Sequence, residues 1–431
     1  MERCKISVIM PSLNVENYIE ECLQSVCAQT LEEMEIICVD AGSTDGTVSI
    51  IKKYASKDFR IRLIHSNKKS YGYQVNIGIQ RACGQYIAIL ETDDYIDADM
   101  YASLYEIAES TGCDYVKANF RGYQTTVEGD RLYWDYYVFT EDKNNYDHVL
   151  DVAEHMGIIR RDQCVWSGIY RRNFLIENKI KCNESSGAAY QDIGFLQQIF
   201  WHANKAYYLN KPFYNYCTDR EDSSSNRGDG LRFAYQEYQY LLSDKLFQNI
   251  DTSRVSSIYE RMADVFWECF TKILKQDREK ENADIIRWFL EILLTKEKQG
   301  IIHRDYLEHI ITDGIIWVQT LKKQWYSEQE WRNCLLEKLE DTQAIIFGAG
   351  VIGKSVYREL DRARISVGAF CDNNNSLWGQ KIGSKLIYSL KDTMRLFPQA
   401  TYVVANRRYY GDMEKQLLEM GIPPTRIVIW K

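Results

Sequence analysis

Between positions 85 and 94 the chain reads Gln-Tyr-Ile-Ala-Ile-Leu-Glu-Thr-Asp-Asp, and its three closing acids, Glu91, Asp93 and Asp94, have the chemistry of a cation site. Carboxylate oxygens are hard ligands. Two or three of them within four positions repel one another until a cation joins them, and Mg²⁺ or Mn²⁺ suits such a set while keeping positions open for substrate phosphates. A second acid, Asp40, follows the apolar run Ile36–Val39 and can accept hydrogen bonds from a base or a ribose; near Gly72, backbone amides can approach a phosphate. A plainer reading stands beside this one. Acids after a strand also cap helices, and Asp94 or Asp97 could cap a helix over residues 98–110.

These residues need elements to position them. Tyr86–Leu90 has the length of a buried parallel strand, punctuated at its start by Gly84. Ile6–Met10 reads as a first strand with Pro11-Ser12-Leu13-Asn14 as its loop, Ile36–Val39 as a second, and Ile61–His65 as a third. Tyr18, Ile19, Cys22, Leu23 and Val26 fall at helical spacing between the first two, and another helical pattern, Val48–Ala55, follows the polar turn over 41–47. Strand, polar loop and helix in repetition predict a parallel sheet with its loops on one edge, which brings Pro11, Asp40, the Lys69–Asn76 loop and Asp93–Asp94 to one crevice.

Three motifs in this order resemble glycosyltransferase family 2, of the GT-A fold: Ser-Val-Ile-Met-Pro-Ser-Leu-Asn (7–14), Val-Asp-Ala-Gly-Ser-Thr-Asp-Gly-Thr (39–47) and Glu-Thr-Asp-Asp (91–94). The stretch Tyr71-Gly-Tyr-Gln-Val-Asn76 is similar to the family's donor-side loop. The resemblance covers about the first 230 residues and implies an α/β GT-A domain over 1–229. It places donor contacts on Pro11, Leu13, Asp40, Gly72, Asn76 and Asp93, with Asp40 on the nucleoside, and puts the metal on Asp94 with help from Asp93. Two positions depart from the family pattern: Ala41 stands where a second aspartate is common, and Glu91 where the metal motif begins with aspartate. Val165–Tyr170 and Tyr190-Gln-Asp-Ile-Gly-Phe195 resemble the acceptor half, which makes Asp192 the catalytic base and Trp166 an acceptor residue. The alternatives are that Asp192 is a helix-opening acid interacting with the dipole of residues 193–202, and that Trp166 is core. The implied activity is inverting, Mn²⁺- or Mg²⁺-dependent transfer of a hexose from a nucleotide sugar, UDP-linked by resemblance, to a hydroxyl of a glycan or lipid-linked acceptor in surface polysaccharide synthesis.

Past the polar loop 217–226, which either folds over the diphosphate or simply leads onward, the pattern turns helical over 230–340. Phe233, Tyr235, Tyr238, Leu241 and Leu242 form one stripe and Val265, Phe266, Phe270, Ile273 and Leu274 another, as in a helical linker domain; His303 and His309 are too isolated to be ligands. Residues 341–431 restart an α/β pattern with Ala344–Phe347, then Gly348, Gly350 and Gly353 in a Gly-x-Gly-x-x-Gly array, then Val367–Cys371 ending at Asp372, where a ribose-binding acid belongs. This predicts a Rossmann-like domain that either binds a nucleotide or mediates assembly. It also keeps two other function classes in view: an NAD-dependent sugar oxidoreductase or epimerase, and a noncatalytic nucleotide-sugar scaffold.

Composition narrows the field. A length of 431 residues suits about three domains. A formal net charge of −8 and the lack of a basic tract argue against nucleic acid as a partner. Twelve cysteines without a Cys-x-x-Cys pair point to reduced thiols rather than a disulfide framework or zinc knuckle. No run of about eighteen apolar residues occurs, and the first residues lead into a strand without a signal-peptide pattern, so the expected location is cytoplasmic. A lipid-linked acceptor is compatible with peripheral contact at the inner face of a membrane, and the helical middle with pairing of two copies.

Overall fold

The computed structural model describes residues 4–430 apart from 141–142, 219–228, 244–253, 277, 280, 306, 308–330, 334 and 340–341. The chain divides into two compact units, residues 1–122 with 134–318, and residues 123–133 with 319–431.

Ten strands build the sheet that begins in the first unit: β1 (Ile6–Ser12), β2 (Met34–Asp40), β3 (Ile61–His65), β4 (Tyr86–Ile89), β5 (Tyr95–Ile96), β6 (Tyr115–Thr125), β7 (Arg131–Tyr136), β8 (Val149–Asp151), β9 (Gly168–Arg171) and β10 (Lys205–Cys217). Their order is β3-β2-β1-β4-β9-β6-β10-β5, with β7 on β6 and β8 on β10. The first four are parallel, as the strand–loop–helix repetition requires. Beyond β4 the sheet is mixed, because β9 runs antiparallel to both β4 and β6; the expected parallel sheet is thus correct only for its first half. Every residue of β1 and β2 is buried. Such fully buried, mostly apolar strands belong in the middle of a sheet covered on both faces.

Helices α1 (Ile19–Cys27), α2 (Thr47–Ala55), α3 (Tyr71–Arg81) and α4 (Met100–Thr111) follow β1, β2, β3 and β5 in the chain. The segment 69–76, expected as a loop, mostly belongs to α3. Ser70 caps this helix, its Oγ accepting from the Tyr73 amide at 3.2 Å. Gly72 and Gly78 lower helix propensity, yet both are needed. A Cβ on Gly78 would collide with the Ile9 side chain of β1, and one on Gly72 with the backbone carbonyl of Asn183. Close approach outweighs propensity here.

The rest of the unit is helical: α5 (Ile158–Arg161), α6 (Arg172–Glu177), α7 (Gln191–His202), α8 (Gly230–Leu241), then Val255–Lys275 and Ala283–Lys298. Leu231, Tyr238, Phe266 and Phe289 share one apolar cluster with Ile9 and Ile89. Three helices of the segment expected as a helical domain over 230–340, α8, Val255–Lys275 and Ala283–Lys298, thus bury residues in the same cluster as the sheet, while Leu335 and Leu339 pack in a cluster of the second unit. Under β6, the buried ion pair of Lys117 Nζ and Asp162 Oδ1 (2.6 Å) is completed by the Tyr208 hydroxyl, which donates to Asp162 Oδ2 at 2.8 Å. Truncating one member of such a pair costs about 3–5 kcal/mol, because the other charge stays buried.

The second unit holds a six-stranded sheet. Five strands are parallel, Ala344–Phe347, Val367–Cys371, Lys385–Tyr388, Thr401–Val404 and Ile427–Ile429, and in chain order they lie 3-2-1-4-5 across the sheet. That is the strand order of a dinucleotide-binding half-sheet extended by one edge. The β6–β7 hairpin tip belongs to this unit: Leu132 enters its core, and Glu128 accepts from Lys385 Nζ and Ser384 Oγ, each at 2.7 Å. Among the described residues no helix is long and apolar enough to cross a membrane.

Candidate active site

The carboxyl ends of β1, β2 and β4 lie side by side, with Ser12 level with Asp40 and Ile9 level with Ile89. Three contacts fix this edge. Gln74 Nε2 of α3 donates to the carbonyls of Ser12 (2.9 Å) and Val39 (2.5 Å), and Thr92 Oγ1 donates to the Pro11 carbonyl at 3.1 Å. Pro11 is therefore the end of a buried strand rather than a loop residue, and Leu13 is half-buried in the bend that follows. Asn14 and the 43–47 turn are stitched together, Asn14 donating its amide to Ser43 Oγ and accepting from the Thr44 amide, both at 2.9 Å.

Asp40 shapes that turn. Its carboxylate, 1 % exposed, accepts from the amides of Gly42 (2.9 Å) and Ser43 (3.1 Å) and from Ser43 Oγ (2.5 Å). Both oxygens are engaged by the loop itself, so the described conformation assigns Asp40 the task of holding the loop's shape.

The acidic tip splits into three roles. Asp94 is 2 % exposed; Tyr214 donates its hydroxyl to Oδ2 at 2.7 Å and the Cys217 amide donates to Oδ1 at 2.8 Å. Burial, and next the charge of Asp93, push the Asp94 carboxyl well above the ordinary range despite those two donors. Asp93 is half-buried and lies on the more open side of the tip. Glu91 accepts the Tyr71 hydroxyl at 2.6 Å, and its amide donates to Tyr214 at 3.2 Å. Carboxylates are the hard oxygen donors a divalent cation takes, and the charges of Asp93 and Glu91 both reach Asp94, although the three do not bring oxygens within 4.8 Å of one another in the described conformation.

Tyr71 links the tip to the later half of the unit. Its amide donates to the Gly187 carbonyl at 2.9 Å, and Gly187 in turn donates to the Lys69 carbonyl at 2.9 Å. Gln191 ties the same segment down, Nε2 donating to Ser185 Oγ (2.9 Å) and Oε1 accepting from the Ala189 amide (2.7 Å). Tyr190, at φ +67°, then turns the chain into α7, which places Asp192 in the helix's first turn. Burial, then the charges of Glu91 and Asp192, push the Tyr71 phenol well up. The acidic tip and Asp192 thus act on one side chain. Asp192 itself is shifted upward by burial, against the pull of the helix-terminal amides and Arg261.

Sequence reasoning missed Glu237. It lies on the buried face of α8 with Leu231, Ala234, Tyr238 and Leu241, and an acid on an apolar stripe was the available signal. Its Oε2 accepts from Asn183 Nδ2 at 3.0 Å while Oε1 is buried without a hydrogen-bond partner. Burial foremost, together with Asp192, pushes this carboxyl up to about 8 from an ordinary value near 4.5. Because the folded state holds this proton more tightly, its stabilising effect is complete below the unfolded value and is lost as pH rises through about 8. Glu237→Gln cannot ionise. Its melting temperature relative to wild type should therefore climb between pH 5 and pH 8, and parallel melting curves across that range would contradict the assignment.

Other expected contacts are corrected. Gly72 is buried, and the place a Cβ would take is filled by the Asn183 carbonyl. Asn76 spends its amide on the backbone of Cys182, donating to the carbonyl and accepting from the amide, each at 2.9 Å. Trp166 is 7 % exposed, stacked on Tyr214 (4.0 Å) and Tyr216 (5.4 Å) with Phe120 at its edge (4.8 Å), so it supports the tyrosine under Asp94 rather than offering a sugar a free face. In the second unit Gly348 adopts φ +112°, and a Cβ on Gly353 would strike the Gly348 carbonyl, so both glycines serve the strand-to-helix turn; Gly350 opens the helix Val351–Arg362. Asp372 accepts from the Ala349 amide (2.8 Å) and the Asn374 amide (2.8 Å), which engages both oxygens within the loop. His309 and most of the 217–226 loop lie outside the described residues.

Comparison with known proteins agrees with the first unit's architecture. Residues 7–165 match the family model described as Glycosyl transferase family 2, and residues 340–428 match one described as C2185-like, N-terminal. The uncharacterized glycosyltransferase YibD of Escherichia coli K12 is 28% identical over 262 residues, 59% of this chain and 73% of that protein. The poly(ribitol-phosphate) beta-glucosyltransferase of Bacillus spizizenii is 34% identical over 122 residues, 27% of this chain and 19% of that protein. Among solved structures, S. aureus TarS 1–349 in complex with UDP-GlcNAc superposes with a TM-score of 0.56 at 19% identity, covering 75% of this chain and 92% of TarS 1–349. Residues 7–165 thus match glycosyltransferase family 2, the N-terminal unit shares the GT-A fold of TarS, and the chain is a glycosyltransferase.

Proposed function

We propose that the first unit transfers a hexose, with inversion, from a UDP-sugar to a hydroxyl of a glycan or lipid-linked acceptor. The observation that carries this reading is the convergence of Glu91 and Asp192 on Tyr71, which sets a cation-type acidic tip and an isolated carboxylate at one sheet edge. The support for UDP is the UDP-GlcNAc complex of TarS, which shares the fold; the support for a surface polymer is the poly(ribitol-phosphate) enzyme among the relatives.

In this reading Asp192 accepts the proton of the attacking hydroxyl as that oxygen bonds to the anomeric carbon and the bond to the diphosphate oxygen breaks. Inversion requires the attack to come from the face opposite the leaving group, which is why the base sits on α7 and not in the acidic tip. Asp93, with Glu91 and Asp94 nearby, would hold a Mn²⁺ or Mg²⁺ ion, which when bound would supply positive charge toward the departing diphosphate. Asp40 keeps the 41–47 turn in shape to meet the nucleoside. Asp372 is engaged by its own loop, so the second unit receives no catalytic role here.

The test is a panel of nucleotide sugars incubated with the full chain and Mn²⁺, reading release of free nucleoside diphosphate. Release from at least one UDP-sugar, lost on chelation, is expected. No release from any donor, or NAD reduction in its place, would sink the proposal.

A further inference from the structure

The opposite, amino edge of the same sheet carries a second cluster. Cys4 lies two residues before β1, Glu35 is the second residue of β2, and Cys83 lies three residues before β4. Because β1 pairs with β2 on one side and β4 on the other, with Ile6 level with both Met34 and Tyr86, these three strand starts are neighbours. The two thiol sulfurs and a Glu35 oxygen all lie within 4.8 Å of one another. We propose that Cys4, Glu35 and Cys83 form a binding site for a soft divalent cation of the zinc type, separate from the hard-cation site at the carboxyl edge.

Two thiolates and one carboxylate are a zinc-type donor set, and a tetrahedral ion would keep its fourth position for water. Access is provided, since Cys83 is exposed and Cys4 partly so. The supporting contacts are built: Glu35, 8 % exposed, accepts from Ser7 Oγ (2.6 Å), the Cys83 amide (2.7 Å) and Arg62 Nη1 (2.7 Å). Such surrounding hydrogen bonds orient a ligating carboxylate. Charge also balances. Binding releases both thiol protons, and three anionic ligands then face a divalent ion and the Arg62 guanidinium. The ion's effect is to clamp the starts of the three strands whose far ends bear Ser12, Asp40 and Glu91.

Titration of the full chain with Cd²⁺ or Co²⁺ tests this, with a phosphine reductant to keep thiols free and excess Mg²⁺ to occupy the acidic tip. A thiolate-to-metal charge-transfer band saturating at one equivalent is expected, with a raised melting temperature. Cys83→Ser, at an exposed position, should weaken binding at least tenfold while sugar transfer continues, and Cys4→Ser should do the same. Absence of the band in wild type, or an undiminished band in both variants, would overturn the proposal. Since the readout involves no sugar donor, its failure is distinguishable from failure of the transferase reading.

Discussion

Asp192→Asn should retain donor binding and lose about 10²–10⁴-fold in turnover, the contribution of a positioned proton acceptor. The substitution keeps the side chain's shape in the first turn of α7 and removes only its capacity to take a proton. A stability argument makes this result hard to confuse with misfolding. Burial shifts the Asp192 carboxyl upward, so its proton stabilises the fold below the unfolded value and that stability is lost as pH rises past the folded one. At neutral pH the charged form is a cost which asparagine removes. The variant should melt no lower than wild type while failing to turn over, a trade common where a site's chemistry works against stability. Wild-type turnover should in addition fall on acidification with a midpoint above the ordinary aspartate range. Full activity in the folded variant would exclude Asp192 as the base.

Asp93→Asn and Asp94→Asn should fail in different ways. The first should weaken Mn²⁺ binding and cut Mn²⁺-dependent turnover by about 10³-fold, equivalent to several kcal/mol of lost charge stabilisation, with little change in melting temperature. In Asp94→Asn, the side-chain oxygen can keep the Cys217 amide, but the NH2 replaces the oxygen that accepts the Tyr214 hydroxyl, so that buried hydroxyl proton loses its acceptor. A buried donor left without an acceptor costs about 1–3 kcal/mol, so this variant should appear mainly as a lowered melting temperature. Melting curves together with Mn²⁺ titrations by electron paramagnetic resonance separate the two. If Asp94→Asn alone abolished Mn²⁺ binding at unchanged stability, the ligand roles would be reversed.

Much of this edge was legible in the sequence because its signals are local. Apolar runs of strand length, each closed by a polar turn, located β1 to β4 within a residue or two, and Asp40, Asp93 and Asp192 stand at the element ends where their motifs placed them. The rest was decided by partners distant in the chain. The donors that occupy Asp94 come from Tyr214 and Cys217, and nothing near position 94 announces them. Gly72 resembled a phosphate loop residue, yet its freedom from a Cβ serves contact with Asn183. Trp166 became packing only once β10 laid Tyr214 and Tyr216 against it. Glu237 carried a faint sign in its place on an apolar stripe, but its link to Asp192 exists only after α8 docks. Cys4, Glu35 and Cys83 are spaced too widely for any cysteine pattern and meet only because their strands are adjacent.

The account rests on one nucleotide-binding edge, defined by the 41–47 turn, Asp93 and Asp192. A crystal structure of the full chain soaked with UDP and Mn²⁺ examines it most directly. The predicted result is a diphosphate beside Asp93, the uridine against the Asp40 turn, and Asp192 across the space left for the sugar. Nucleotide bound at the Gly348–Gly353 turn instead, with the first unit's carboxyl edge filled by its own side chains, would contradict it.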